Sequence, residues 1–429
     1  MTSQNSKTRD TKIAVLGGGP AGMATALALL KAGHNVTVYE RYKEARPAGN
    51  ILNLWPPPIK ALRDMGVYIR DLGAPCHTTF RNAKGHVRAE VKLPDWVNEE
   101  YGGGFIGLLR PDLYKRMLST MPQGTMQFGR LVNRIESETD LVRLHFSDGE
   151  AEEVDVLIGA DGIDSSVRKH LWGDTPKRPH NLHVIGGFTF EFVPGIESGE
   201  VVLSHSRTIQ GTYSSILSEG RKGFQWWMLE AWSDERPSPA DLHQHAKHLG
   251  VEFSPVLQQL IQVTKEENLQ RWPIRDRRPL QRWSKGRVTL AGDAAHPTSP
   301  YAAYGMSKTT KPTSYLKHSA DDHVCFVGAG MSICDGYFLG QCLTGLDLKD
   351  TQAVKSALLS YESKRLKHTT EQVQTAYTLG QMFHHMPSML RPLRDFVLDN
   401  TWLLQSQVGE KNPREIVAQL EEMGTGILV

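Results

Sequence analysis

The chain is short of cysteine, has almost no charge excess and lacks any long apolar run, and each shortage closes a class of explanation. Its 429 residues include four cysteines, Cys76, Cys325, Cys334 and Cys342, with no C-x-x-C pair. That fits reduced thiols in a cytosolic protein rather than a disulfide scaffold. Forty-nine basic residues stand against 47 acidic ones, a net charge of +2, so there is no basic excess to build a nucleic-acid surface. No apolar stretch reaches the roughly 18 residues of a membrane span. The first residues, MTSQNSKTRDTK, lack the apolar segment of a signal peptide. There are no internal repeats. The triplet His243, His245 and His248 lacks the H-x-x-x-H pair of a helical metal site, so it reads as a solvated helix face and no metal is expected.

What is present begins with an apolar strand, KIAVLG, followed by GGGPAG, a helix through ATALALLKAG and a second strand, NVTVYE. Gly17, Gly19 and Gly22 satisfy G-x-G-x-x-G inside the βαβ frame that gives this motif its meaning. Gly17 permits the tight turn, Gly19 leaves room for a pyrophosphate, and Gly22 lets helix and strand approach. The helix N-terminus offers free N–H groups to phosphates. Glu40 follows Gly22 by 18 residues (40 − 22), where a carboxylate reaches the hydroxyls of an adenosine ribose. The motif fits NAD and FAD alike.

Two later strands end in acids: VDVLIGA runs into Asp161-Gly162, with Ser165 and Arg168 following, and VTLAG runs into Asp293. Taken together, GGGPAG with Glu40, GADGIDSSVR and GDAAHPTSP, in this order and spacing, resemble the class A flavoprotein monooxygenases, the aromatic hydroxylases of the 4-hydroxybenzoate and salicylate hydroxylase type. The resemblance spans residues 13 to about 305. It implies an α/β fold: an FAD-binding Rossmann-like domain, an interleaved β-sheet substrate domain and C-terminal helices. The expected division is residues 10–75, 106–175 and 282–345 for the FAD domain, 76–105 and 176–281 for the substrate domain, and 346–429 for a helical region.

The resemblance also implies roles. Gly17, Gly19 and Gly22 would cradle the FAD pyrophosphate and Glu40 the ribose. Arg110, before a helix-starting Pro111, would contact the flavin, as would the loop holding Gly49. Asp161 belongs to a motif tied to both FAD and the nicotinamide nucleotide, and capping a helix is a competing reading that does not exclude that role. Asp293 would bind the ribitol side, and His296, Pro297 and Pro300 would line the ring. Gly305, Ala329 and Gly330 would form a helix start beneath the flavin, aimed at its N1–C2=O edge. The implied activity uses NADPH or NADH to reduce FAD, O2 to form a flavin C4a-hydroperoxide, and a small aromatic, phenolic ring as acceptor. An epoxidase of the same fold, and a damaged chain unable to hold FAD, are alternatives. The choice of NADPH or NADH and the oligomeric state are left open.

Strand-like segments HVIGGFTFEFV, EVVLSHS, GTYSSILS and GFQWWMLEAW suggest a sheet roofing the pocket. Its candidates facing a substrate are His205, Arg207, Tyr213, Gln225 and Trp227, with Tyr213 and Arg207 as the catalytic expectation. The opposing reading makes Tyr213 a strand aromatic and Arg207 a solvated charge. Downstream, ALLSYESKRLKHTTEQVQTAYTLGQMF reads as one long helix. Met382, Met386 and Met389 read as core filling and His384-His385 as structural. Gly-Met-Ser occurs at both 305–307 and 330–332. Excising 306–328 joins Gly305 to Ala329 and restores the expected loop and helix start. Residues 306–328 therefore read as an aberrant insert, a retained intron or a long loop.

Overall fold

The computed structural model describes residues 10–45, 51–101, 105–196, 199–304 and 328–424. Gly49 and Gly305, and the expected insert apart from its last residue, lie outside them. That last residue, Gly328, opens the helix Gly328–Leu343.

Strand β1 (Ile13–Leu16) is buried at all four positions, as a central strand covered on both faces must be. It pairs in parallel with β2 (Val36–Glu40) on one side, Ile13 opposite Val36, and with Val156–Gly159 on the other, Ile13 opposite Val156. The strands Val288–Leu290 and Met126–Phe128 complete a five-stranded parallel sheet. The shared direction and register bring the C-terminal ends of four strands, leading into Gly17, Glu40, Asp161 and Asp293, to one edge. Helix α1 (Pro20–Lys31) follows β1. The Gly328–Leu343 helix presses against it so closely that a Cβ on Gly336 would lie 2.4 Å from the Thr25 nitrogen.

A second, larger sheet contains Lys177–Thr189, Glu200–His205, Gln210–Ser218, Arg221–Ala231 and Leu269–Arg277, joined to Ala74–Asn82, Phe105–Leu109 and Ile51–Leu54. Alternate side chains along a strand face opposite ways, so this sheet has two cores. One gathers Leu203, Trp227 and Leu229 with Tyr301, Met331 and Phe383. The other gathers Val202, Tyr213, Trp226 and Met228 with Leu257 and Leu260 of the helix Pro255–Val263.

The long C-terminal helix spans Thr351–Gly380, capped by Asp350, whose carboxylate accepts the Gln352 and Ala353 N–H groups. It stops before the expected QMF ending, and Gln381–His385 form a wider turn. Helices Arg391–Asn400 and Asn412–Met423 follow. Met389, expected inside, is 82% exposed, because it sits on the outer side of the turn before Pro392. His243 and His245 are not solvated: they meet the Ile261 carbonyl at 2.7 Å and the Glu230 carboxylate at 2.7 Å. Among the described residues no helix is long and apolar enough to cross a membrane.

Candidate active site

Gly17, Gly19, Glu40 and Asp161 line one cleft of about 250 Å³ at the strand-end edge of the parallel sheet, with Arg130 and Ser166 on its walls. Gly17 has φ +103°, and a Cβ there would lie 2.4 Å from the Ala160 carbonyl oxygen; both facts demand glycine. A Cβ on Gly22 would lie 1.8 Å from the Gly17 oxygen, whereas one on Gly19 would meet nothing within 4 Å. The turn is therefore closed behind and open in front. Helix α1 starts at Pro20, which has no N–H, and no side chain caps it, so its first-turn donors are left for an anion. The Glu40 carboxylate accepts the Gly18 N–H at 2.7 Å and the Tyr42 N–H at 3.0 Å, which fixes it at the mouth of the cleft.

Asp161 performs the capping role read from its sequence. Its Oδ2 accepts the Ser166 N–H at 2.7 Å and the Ser166 hydroxyl at 2.8 Å, while Ser165 caps the same helix through Arg168 N–H. Its Oδ1 is buried with no partner, and burial pushes the carboxyl pKa up. Arg168, named only as part of a motif, is a clamp. Its guanidinium donates to the carbonyls of Ala294 and Ala295 at 3.1 and 3.0 Å, tying the Asp161 loop to the Asp293 loop. Burial pushes its pKa down to about 10.

Arg110 opens the helix Arg110–Thr120 with Pro111 behind it. Burial lowers its pKa, and the nearby Asp293 charge opposes that shift. The reciprocal holds at Asp293, raised by burial and opposed by His296 and Arg110. These two residues, 183 positions apart (293 − 110), lie near enough in the fold for their charges to act on each other. Asp335, which nothing in the sequence singles out, organises the same loop. Its Oδ2 accepts the Gly292 N–H at 2.8 Å and meets His296 Nε2 at 2.5 Å, and its Oδ1 accepts Arg365 Nε–H at 2.8 Å. Burial would raise its pKa, but His296 and Arg365 overcome this and hold it at about 2. Beyond this turn, the buried hydroxyls of Thr298 and Ser299 have no partner. Pro300 starts a short turn, and Ala329 and Gly330 lie buried in the first turn of the Gly328–Leu343 helix. A Cβ on Gly330 would collide with the Trp55 ring at 2.6 Å, so glycine lets the indole lie against this helix start.

The larger sheet separates the five strand candidates. His205 and Trp227 face Tyr301: the His205 and Tyr301 rings are 6.1 Å apart and stacked, and Trp227 shares their core. Gln225 binds Leu52 N–H and C=O, each at 3.0 Å, tying two strands together. Tyr213 does not join them. It pairs across the ladder with Trp226, one residue out of phase with Thr212 and Trp227, so it packs in the opposite core. Arg207 has a side chain 72% exposed, 3.9 Å from Asp395. Strand parity and exposure thus separate Tyr213 and Arg207 from His205 and Trp227. Tyr301 stands on the His205 and Trp227 side of the sheet. Its hydroxyl lies 2.7 Å from His384 Nε2, and His384 Nδ1 lies 2.8 Å from the Thr208 carbonyl. The aromatic pattern around residues 301 and 383–384 was the available signal, but nothing in it joins the two segments.

The orphaned buried atoms Asp161 Oδ1, Thr298 Oγ1 and Ser299 Oγ, with the open face of Gly19, fit a flavin dinucleotide laid along this edge. The FAD binding domain family matches residues 10–316. The chain is 30% identical over 323 residues to 6-hydroxynicotinate 3-monooxygenase of Bordetella bronchiseptica, covering 71% of this chain and 81% of that one. It is also 30% identical to a 3-amino-4-hydroxybenzoate 2-monooxygenase of Streptomyces platensis, over 90% of this chain and 91% of the other. Its fold superposes on Klebsiella pneumoniae HpxO, solved with FAD and uric acid, with a TM-score of 0.78 at 22% identity, covering 97% and 98% of the two chains. A family match over most of the chain, carried by the same turns that build the cleft, makes this protein a member of the FAD-dependent class A aromatic monooxygenases.

Proposed function

We propose that this chain hydroxylates a small aromatic or heteroaromatic ring bearing an ionisable OH or NH, using FAD, NAD(P)H and O2. The observation that carries the reading is the convergence of Gly17, Gly19, Glu40 and Asp161 on one cleft, in a family whose relatives named above act on hydroxynicotinate and aminohydroxybenzoate. FAD, when bound, supplies the oxygen activation that no side chain can.

The chain's own residues supply binding, orientation and charge. The α1 N-terminus and the glycine turn take the pyrophosphate, and Glu40 takes the adenosine ribose. Arg110 and Asp293 would hold the middle of the dinucleotide. The N-terminus of the Gly328–Leu343 helix would favour negative charge on a bound ring system. In this reading Trp227, His205, Met331 and Tyr301, buried together on one side of the larger sheet, would back the site of a flat ring. Because His384 Nδ1–H is committed to a carbonyl, its Nε2 accepts the Tyr301 proton, and the Tyr301 oxygen offers its lone pairs to a donor on the ring. This favours substrates that present a ring OH or NH.

The test is purified protein loaded with FAD and assayed for NADPH and NADH oxidation. Each is tried with 6-hydroxynicotinate, 3-amino-4-hydroxybenzoate, urate, salicylate and an unactivated alkene, with product analysis by mass spectrometry. Stimulation by one of the hydroxylated rings, with a product 16 mass units heavier by insertion of one oxygen atom, supports the reading. Oxidation stimulated only by the alkene defeats it.

A further inference from the structure

Beside the start of the Gly328–Leu343 helix, apart from the dinucleotide cleft, lies a cavity of about 40 Å³. One side of it is apolar: Trp55, Phe105 and Met331 belong to, or pack against, the core that also holds Trp227 and Tyr301. The other side is polar and comes from the C-terminal helices, with His368 and Gln372 on Thr351–Gly380 and Glu415 on Asn412–Met423. Gln372 is 8% exposed, and its Oε1 is buried with no hydrogen-bond partner. A buried acceptor in that state costs free energy until a donor meets it. Half-buried His368 is neutral, because burial and the Arg365 charge bring its pKa to about 3. Burial pushes the Glu415 carboxyl up, opposed by Lys411, which stands 3.4 Å away. Among the described residues no arginine or lysine lines the cavity.

We infer that this cavity receives a carboxamide substituent of the ring substrate and turns a carboxylate away, with Gln372 as the residue that decides. The inference rests on the hydroxylase reading above and names its substrate class more closely. Size comes first. A single water claims about 30 Å³ of liquid, so the cavity holds one small substituent and not a ring. Charge comes next. A carboxylate entering here would lose its water with no cation to replace it, and Glu415 would add a like charge. A carboxamide carries no charge to desolvate. Its N–H donates to Gln372 Oε1, and its carbonyl accepts from the single ring N–H of neutral His368. An ester or ether of the same size brings no donor and leaves Gln372 Oε1 unpaired. The ring that bears the substituent would extend along the apolar side, toward Met331 and the core of Trp227 and Tyr301.

The measurement is isothermal titration of the full-length FAD-loaded protein with two matched pairs, 6-hydroxynicotinamide against 6-hydroxynicotinate and salicylamide against salicylate. Each amide is expected to bind at least about tenfold more tightly than its acid, a comparison that needs no variant. Gln372→Met keeps the reach of the side chain and removes the acceptor. It is expected to cut the amide's advantage to within about twofold, with flavin absorbance and thermal midpoint unchanged. Gln374→Met, on the exposed side of the same helix, should keep the advantage. Equal affinity within the pairs, tighter binding of the acids, no binding by any of the four, or a preference that survives Gln372→Met overturns the inference. Turnover separates it from the hydroxylase reading. Amides bound with the stated preference but not hydroxylated uphold the cavity's role and defeat that reading, whereas amides and acids bound and hydroxylated alike do the reverse.

Discussion

The Tyr301 hydroxyl and His384 Nε2 lie 2.7 Å apart inside the core that joins the larger sheet to the C-terminal helices. His384 Nδ1 faces a carbonyl, which only accepts, so Nδ1 carries the proton and Nε2 receives the one from Tyr301. The pair fixes the direction of a hydrogen bond at the wall where a ring would stack. Tyr301→Phe leaves Nε2 buried and unpaired, a cost of about 1–3 kcal/mol. It is expected to lower kcat/KM by about tenfold for ring substrates with a donor. Tyr213→Phe, on the other face of the sheet, should leave kcat/KM within about twofold. Parallel kinetics on the two variants check this, and equal losses would remove Tyr301 from the site.

The glycine turn separates folding from flavin binding. Gly22→Ala forces a Cβ against the Gly17 oxygen and should cost about 1–3 kcal/mol of stability as well as the flavin. Gly19→Ala has open space around it, so stability should change by less than about 0.5 kcal/mol. Its methyl enters the space for the pyrophosphate, and FAD affinity falls. Thermal melts of the apoproteins and fluorescence titration with FAD distinguish the two; a Gly19→Ala protein that binds FAD normally would contradict the cradle.

Asp335→Asn leaves Arg365 buried without its counter-charge, with an expected loss of about 3–5 kcal/mol. The pH dependence has a defined sign. The Asp335 pKa lies at about 2 in the fold, below its ordinary 3.8, so its stabilisation is present above pH 3.8 and lost as pH falls toward 2. The stability gap between the native chain and the variant should therefore narrow below pH 4. Urea unfolding at a series of pH values reads this directly.

Two buried histidines and the half-buried His368 impose a milder acid limit. Burial lowers His205 and brings His368 and His384 to about 3, from an ordinary 6.5. Each is neutral when folded and binds a proton on unfolding below pH 6.5, so stability should fall as pH drops from about 7 toward 5. His384→Gln should flatten part of that slope, as followed by the thermal midpoint.

The dinucleotide half-site was legible because everything in it is local: turn, helix start and acid lie within 24 consecutive residues, Gly17 to Glu40. The partnership of Arg110 with Asp293, and the hold of Asp335 on Gly292 and His296, join segments whose proximity only the tertiary fold creates. The strand bearing Tyr213 was legible, but its inward face was not. A shift of one residue in phase reverses every side chain of a strand, and the segment GTYSS is apolar or small on both faces. His384 was read as structural because the histidine pair has no partner nearby in sequence; Tyr301 is 83 residues away.

The five parallel strands also set an order of assembly. Residues Val288–Leu290 pair beside Val156–Gly159 at the edge of the sheet, so two-thirds of the chain leaves the ribosome before that edge is covered. Until then the Val156–Gly159 strand, buried at all four positions in the finished fold, has an open apolar edge. The growing chain thus carries this aggregation-prone edge until then. A chaperone present during synthesis is therefore expected to raise the yield of folded protein.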